Sequence, residues 1–218
     1  MRWAWDNREQ VIDLTLTHAW LSAVPMLLGF AIALPIGWYA SRHRRLRGSL
    51  LSVGSVLYSI PSLPLFVIMP SIIGTGFLSP LNVVVAMTIY AAAIMVRSAT
   101  DAFTSVSPAV LDAATATGYA SRQRGLSVEL PLAGPVLLAG LRVVSVSTVS
   151  LVSVGALIGV SNLGSFFTDG YRRDFTTEIL VGVAAIAVLA LIFDALLVLA
   201  GRLLMPWASL TRPSTVSA

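Results

Sequence analysis

The residue types that covalent catalysis needs are nearly missing from this chain. It contains no cysteine, which excludes thiolate nucleophiles, thiolate metal sites and disulfides. Its two histidines, His18 and His43, form no metal-ligand cluster, and no apolar segment carries a nucleophile beside a histidine base or a pair of carboxylates. What stands out instead is a polar, small-residue island: Leu111-Asp112-Ala113-Ala114-Thr115-Ala116-Thr117-Gly118, running on to Val128-Glu129-Leu130-Pro131. Its chemistry is that of a docking surface. Ala113 and Ala114 favour helix and leave a low-relief face, Asp112 adds a carboxylate, and Gly118 supplies a turn that a side chain would obstruct. Ser107 and Pro108 suit the N-cap and first helical position. A second short helix is expected over 121–129, ended by Pro131.

The elements that hold this island are apolar. The chain is 56% hydrophobic and 11% charged, with a mean hydropathy of +0.86, where a soluble domain carries about a quarter charged residues. Segments 19–39, 51–73, 81–96, 135–160 and 179–205 approach the roughly 20 residues a bilayer-crossing helix needs. The expected fold class is therefore all-α: a polytopic membrane protein with about five transmembrane helices, since hydrocarbon offers exposed backbone groups no partner. A soluble helical core protein does not account for the recurrence of these runs. Val11, Ile12, Leu14 and Leu16 predict a helical lead-in over 1–18, and its mixed charge is unlike a cleavable export signal.

All 14 basic residues are arginines, the net charge is +4 and the pI about 10.1. In a membrane chain this fits loops beside anionic lipid better than nucleic acid. If the spans alternate, Arg42, Arg44, Arg45, Arg47, Arg97, Arg122, Arg124, Arg202 and Arg212 fall on one side. Arg2, Arg8, Arg172 and Arg173 fall on the other, offset by acids. Positive residues favour the cytoplasm, which predicts the N-terminus outside and the C-terminus inside. The expected organisation is an extracytoplasmic lead-in (1–18), a transmembrane domain (19–205) with a cytoplasmic loop at 101–131, and a cytoplasmic tail (206–218).

Within the spans, Pro35, Pro61 and Pro64 are expected to interrupt helices and free carbonyls, with Gly74 and Gly76 following. Projected as one helix, the fourth span puts Thr148, Gly155 and Gly159 on one side and Arg142, Ser145 and Ser153 on another. Arg142 and Asp194 are expected to pair or to reach out of the bilayer.

The order Asp112-Ala113-Ala114, Gly118, then Val128-Glu129-Leu130-Pro131 resembles the Glu-Ala-Ala loop of ABC-importer permeases, with aspartate in place of the usual glutamate. Further segments resemble the osmoprotectant branch of that family, for glycine betaine, carnitine and choline. These are Thr17-His18 with Leu34-Pro35-Ile36-Gly37, Ser59-Ile60-Pro61-Ser62-Leu63-Pro64 with Gly74-Thr75-Gly76, and Leu138-Ala139-Gly140-Leu141-Arg142. Ile158-Gly159-Val160-Ser161-Asn162-Leu163-Gly164 joins them, departing from a more glycine-rich form at Ser161 and Asn162. The resemblance covers roughly residues 14 to 200.

It implies a type I importer fold and a chain that is not itself an enzyme. No cofactor is expected on this chain; ATP and Mg would sit in a partner ATPase. The implied partners are ABC ATPase subunits, an extracytoplasmic substrate-binding protein and a second permease subunit, identical or sibling. Asp112, Ala113, Ala114, Gly118, Val128, Leu130 and Pro131 are the implied ATPase-coupling residues. Tyr58, Pro61, Ser62, Pro64, Phe66, Tyr90, Ser145, Thr148 and Ser153 are the candidates for a translocation path, the aromatic rings because they attract quaternary ammonium groups. Other small zwitterions (methionine, ergothioneine, amino acids) fit the same class, and a passive channel is the alternative from another class.

Overall fold

The computed structural model describes residues 2–209, and those residues form helices and their connections. Residues 210–218, with Arg212 and most of the expected tail, lie outside the described residues. A short α1 (Arg2–Asp6) leads into α2 (Arg8–Arg42). Then come α3 (Arg44–Ser59), α4 (Ser62–Ile73), α5 (Pro80–Thr104), α6 (Pro108–Ala116), α7 (Ser121–Arg124), α8 (Leu130–Val152), α9 (Ser165–Arg172) and α10 (Thr176–Leu204).

Among the described residues, four helical runs are long and apolar enough to cross a bilayer: Arg8–Arg42, Pro80–Thr104, Ser121–Ile158 and Thr176–Leu204. The second apolar segment is a fifth only as a broken pair, α3 and α4, which meet at 98°. Pro61 explains the break, because it pushes Ile60 to an extended ψ of 128° and cannot donate to the helix before it. Pro64 falls in the first turn of α4, where a missing N–H costs nothing.

Three local expectations change. Pro35 does not interrupt its span: α2 runs on through Pro25 and Pro35. Packing against α5 holds it. A Cβ added at Gly29 would stand 2.5 Å from the Ala91 Cβ, and one at Gly37 2.4 Å from the Ala99 Cβ, so small residues bring the two helices almost backbone to backbone. Pro131 does not end a helix either. Gly125–Glu129 form a widened π turn in which the Leu130 N–H reaches back to the Gly125 carbonyl. That extra residue makes room for the proline ring, and the helix continues from Ser121 into α8. Finally, the fourth span tightens to a 3₁₀ turn over Ser153–Ile158, and Gly159 is left-handed at φ 83°. Ser153, Gly155 and Gly159 therefore do not continue the helical faces projected for them.

The buried centre is α5. One apolar cluster joins Ala33, Ala91, Met95, Ala99, Leu137 and Val144, and a second joins Leu21, Phe66, Met69, Val83, Met87 and Val152. By contrast α10 exposes Leu180, Leu191, Leu196 and Leu203. That is the expected surface of a helix that faces lipid.

Candidate functional site

The loop between α5 and α8 is built around α6. Ser107 occupies the N-cap position, but its side chain makes no capping bond; its carbonyl accepts from the N–H groups of Val110 (3.1 Å) and Leu111 (3.3 Å). Asp112 and Ala113 are exposed, and Ala114 is buried. Gly118 closes the helix with φ 92°. The Tyr119 N–H reaches the Ala114 carbonyl at 3.1 Å and the Gly118 N–H reaches that of Thr115 at 3.0 Å, the bond pair of a Schellman cap.

Glu129 anchors this loop, and sequence reasoning passed over it as the variable position before Leu130-Pro131. It is only 4% exposed. Its carboxylate accepts from Arg42 Nη2 at 2.5 Å, Arg124 Nε at 3.1 Å and Trp38 Nε1 at 3.1 Å. The Arg42 guanidinium lies 4.0 Å from the centre of the Trp38 ring. Arg124 Nη1 donates to Thr115 Oγ1 at 2.7 Å, and Arg42 Nη1 to Ser121 Oγ at 2.7 Å. A continuous set of charge-assisted bonds therefore runs from α6 through Arg124 and Glu129 to the end of α2. One signal was available: Glu129 is the only acid between Asp112 and Asp169, close to Arg122 and Arg124. A lone acid in an arginine-rich segment is expected to be paired. Val128, Leu130 and Pro131 flank it in the π turn and first turn of α8, half-buried.

Arg42 and Arg124 meet at Glu129, and Arg47 bonds Asp101 at 3.0 Å, tying the start of α3 to the end of α5. At the opposite end Trp3 packs edge-on against Phe175, and Arg173 holds the fully buried Glu178 at 2.6 Å. His18 is buried within α2, where its Nε2–H donates to the Val149 carbonyl at 2.8 Å.

The path candidates divide by exposure. Tyr58, Pro61 and Pro64 are exposed along the α3–α4 break, with Ser62 half-buried. Phe66, Tyr90, Ser145 and Thr148 have almost no surface, and Ser153 donates to the Ser150 carbonyl at 2.7 Å. Tyr90 has a defined task at the break. The Ile60 carbonyl would accept from position 64 in a continuous helix, but Pro64 has no N–H. The Tyr90 hydroxyl donates to it instead, while the Tyr58 ring meets the Tyr90 ring edge-on at 5.9 Å. Tyr90→Phe should leave that carbonyl unpaired and cost about 1–3 kcal/mol. A thermal melt of the purified chain checks this, and an unchanged midpoint would show that the break does not need the bond.

A cavity of about 250 Å³ opens beside Tyr58 between α3, α5 and α8, lined by Gly54, Ser55, Arg97, Ser98 and Ser147. A neighbouring groove of about 440 Å³ shares Val143 and Ser147 with it and contains Arg142 and Asp194. These two pair in a fork, Nε to Oδ1 at 2.6 Å and Nη2 to Oδ2 at 2.7 Å.

The sequence pattern of the family described as "Binding-protein-dependent transport system inner membrane component" matches residues 14–209. The chain belongs to that family. Among other such permeases it is 32% identical over 195 residues to the osmoprotectant import permease protein OsmW of Salmonella typhimurium, covering 88% of this chain and 90% of that one. It is 28% identical over 210 residues to the carnitine transport permease protein OpuCD of Listeria monocytogenes, covering 96% and 93%. The fold matches that of the MetNI methionine ABC transporter in an inward-facing conformation, with a TM-score of 0.75 at 22% identity, covering 94% of this chain and 98% of that one. An amino acid ABC transporter follows at a TM-score of 0.73 and 17% identity, covering 90% and 95%. The all-α, multi-pass architecture expected from hydropathy is thus the type I importer permease fold.

Proposed function

We propose that this permease is the membrane-spanning subunit of an ATP-driven importer for a small compatible solute, in the bacterial cytoplasmic membrane. One observation supports it above the others: α6 offers Asp112 and Ala113 to a partner, while the Arg124–Glu129–Arg42 bonds fasten the same loop to the first span. On this reading the arginine-rich end faces the cytoplasm. ABC ATPase subunits, which carry ATP and Mg, grip α6 and its flanking residues Ala114, Gly118, Val128, Leu130 and Pro131. Their closure pulls the loop and shifts the spans between outward-open and inward-open states, by as much as the nucleotide's differential affinity for the two states permits. An extracytoplasmic binding protein delivers the solute, and a second permease subunit completes the path. The exposed Tyr58, Pro61 and Pro64 and the half-buried Ser62 line that path. The buried Phe66, Tyr90, Ser145, Thr148 and half-buried Ser153 support it from behind.

Relatives named for osmoprotectant, carnitine and choline transport support a quaternary-ammonium solute. Uptake of labelled glycine betaine, carnitine and choline into vesicles holding the assembled complex tests this. ATP-dependent accumulation is expected with the ATPase present and none without it; equal flux without the ATPase would make the chain a passive pore. In the same vesicles Asp112→Lys should insert normally and lower uptake at least tenfold, since one lost charge-assisted contact of about 1.5–3 kcal/mol becomes a repulsion. Wild-type uptake by this variant would remove α6 from the ATPase contact.

A further inference from the structure

The ionisable side chains on the open face between α3, α5, α8 and α10 are not equivalent. Arg142 is closed on Asp194 by two bonds. Arg47 takes Asp101, the acid one helical turn from Arg97. Arg97 is exposed to the cavity and, among the described residues, has no acid within ion-pair distance. An unpaired guanidinium at an apolar span is costly unless water or a ligand reaches it. Its surroundings suit a ligand. Ser55, Ser98 and Ser147 offer hydroxyls, and Tyr58, 48% exposed, offers a ring that Tyr90 holds in place edge-on. About 250 Å³ falls just below the range of drug-sized pockets and suits a smaller solute.

We infer that Arg97 and Tyr58 form a transient site for a small zwitterion that carries a carboxylate and a quaternary ammonium. The guanidinium takes the carboxylate in a bidentate fork, and the tyrosine ring takes the ammonium. Arg142 cannot substitute, because its fork is already filled by Asp194. The site favours a betaine over choline, which has the cation and lacks the carboxylate. This rests on the importer reading and narrows its cargo.

The cysteine-free chain permits a direct test in the assembled complex. Ser147→Cys places a single thiol on the cavity wall, and Ser55→Cys provides a second position. The rate at which a small maleimide modifies that thiol is followed by the mass of this chain, with glycine betaine or choline present. Glycine betaine is expected to slow modification severalfold and choline is not. Adding Arg97→Gln should weaken that protection about tenfold in betaine concentration, the loss expected for a charge-assisted bond, and Arg97→Lys should restore part of it. Absence of betaine protection at both thiols, equal protection by choline, or protection that survives Arg97→Gln would overturn the site. Failure of the wild-type complex to accumulate any of the three solutes with ATP would overturn the importer reading instead.

Discussion

Glu129→Ala is expected to abolish solute uptake while the partner ATPase continues to hydrolyse ATP. The carboxylate is the meeting point of Arg42, Arg124 and Trp38, and the two arginine side chains are only 23% and 22% exposed. Removing it leaves two guanidiniums crowded together with no counter-charge, at a local cost of about 3 kcal/mol. Arg124 then no longer links α6 to α2, and of these bonds only Arg42 to Ser121 still ties α2 to the loop, too little to carry the loop's movement to the first span. Glu129→Gln keeps the shape and loses the charge, and should give a partial effect. The measurement is solute accumulated per ATP hydrolysed in vesicles. A wild-type ratio in Glu129→Ala would show that α8 alone transmits the motion.

Gly118→Val should have a comparable effect by another route. At φ 92° a β-branched residue is strained by about 1–3 kcal/mol, although no heavy atom stands near the position its Cβ would take. The strain is therefore in the backbone. It is relieved by undoing the Gly118–Thr115 and Tyr119–Ala114 bonds that end α6. The expected result is normal insertion, weakened capture of the ATPase on purification, and uptake reduced at least tenfold. Gly118→Asn should be far milder, because asparagine tolerates the left-handed region. Equal loss in both variants would place the defect in side-chain bulk at the ATPase contact.

How much of this was legible in the sequence depends on the range of the physics involved. Run length and apolarity located the spans, because a bilayer imposes the same demand on every crossing segment. The break at Pro61 was visible, since a proline forbids the bond that would bridge it. Pro35 and Pro131 were misjudged for a shared reason: a proline's cost is local, and its relief is not. At Pro35 the relief comes from α5, through contacts at Ala91 and Ala99. At Pro131 it comes from a π turn that no propensity rule announces. Arg142 and Asp194 were expected to pair or reach outward, and they pair. The Glu129 network was only partly visible: Arg124 stands 5 positions away, but Arg42 lies 87 positions away. Arg97 is distinguished by facing the cavity with no acid partner among the described residues, which requires knowing both the cavity and where the neighbouring acids have gone.

The unbroken run from Ser121 to Ile158 has a mechanical consequence. Its 38 residues make a rod about 55 Å long, pressed against α5 where Gly140 meets Ser98. Such a rod acts as a lever with its fulcrum at that crossing. A tilt of about 5° displaces one tip relative to the other by about 5 Å. On the proposed importer reading, a modest stroke of a partner ATPase on the loop would reappear, reversed, at the Gly159 turn at the other end of the rod.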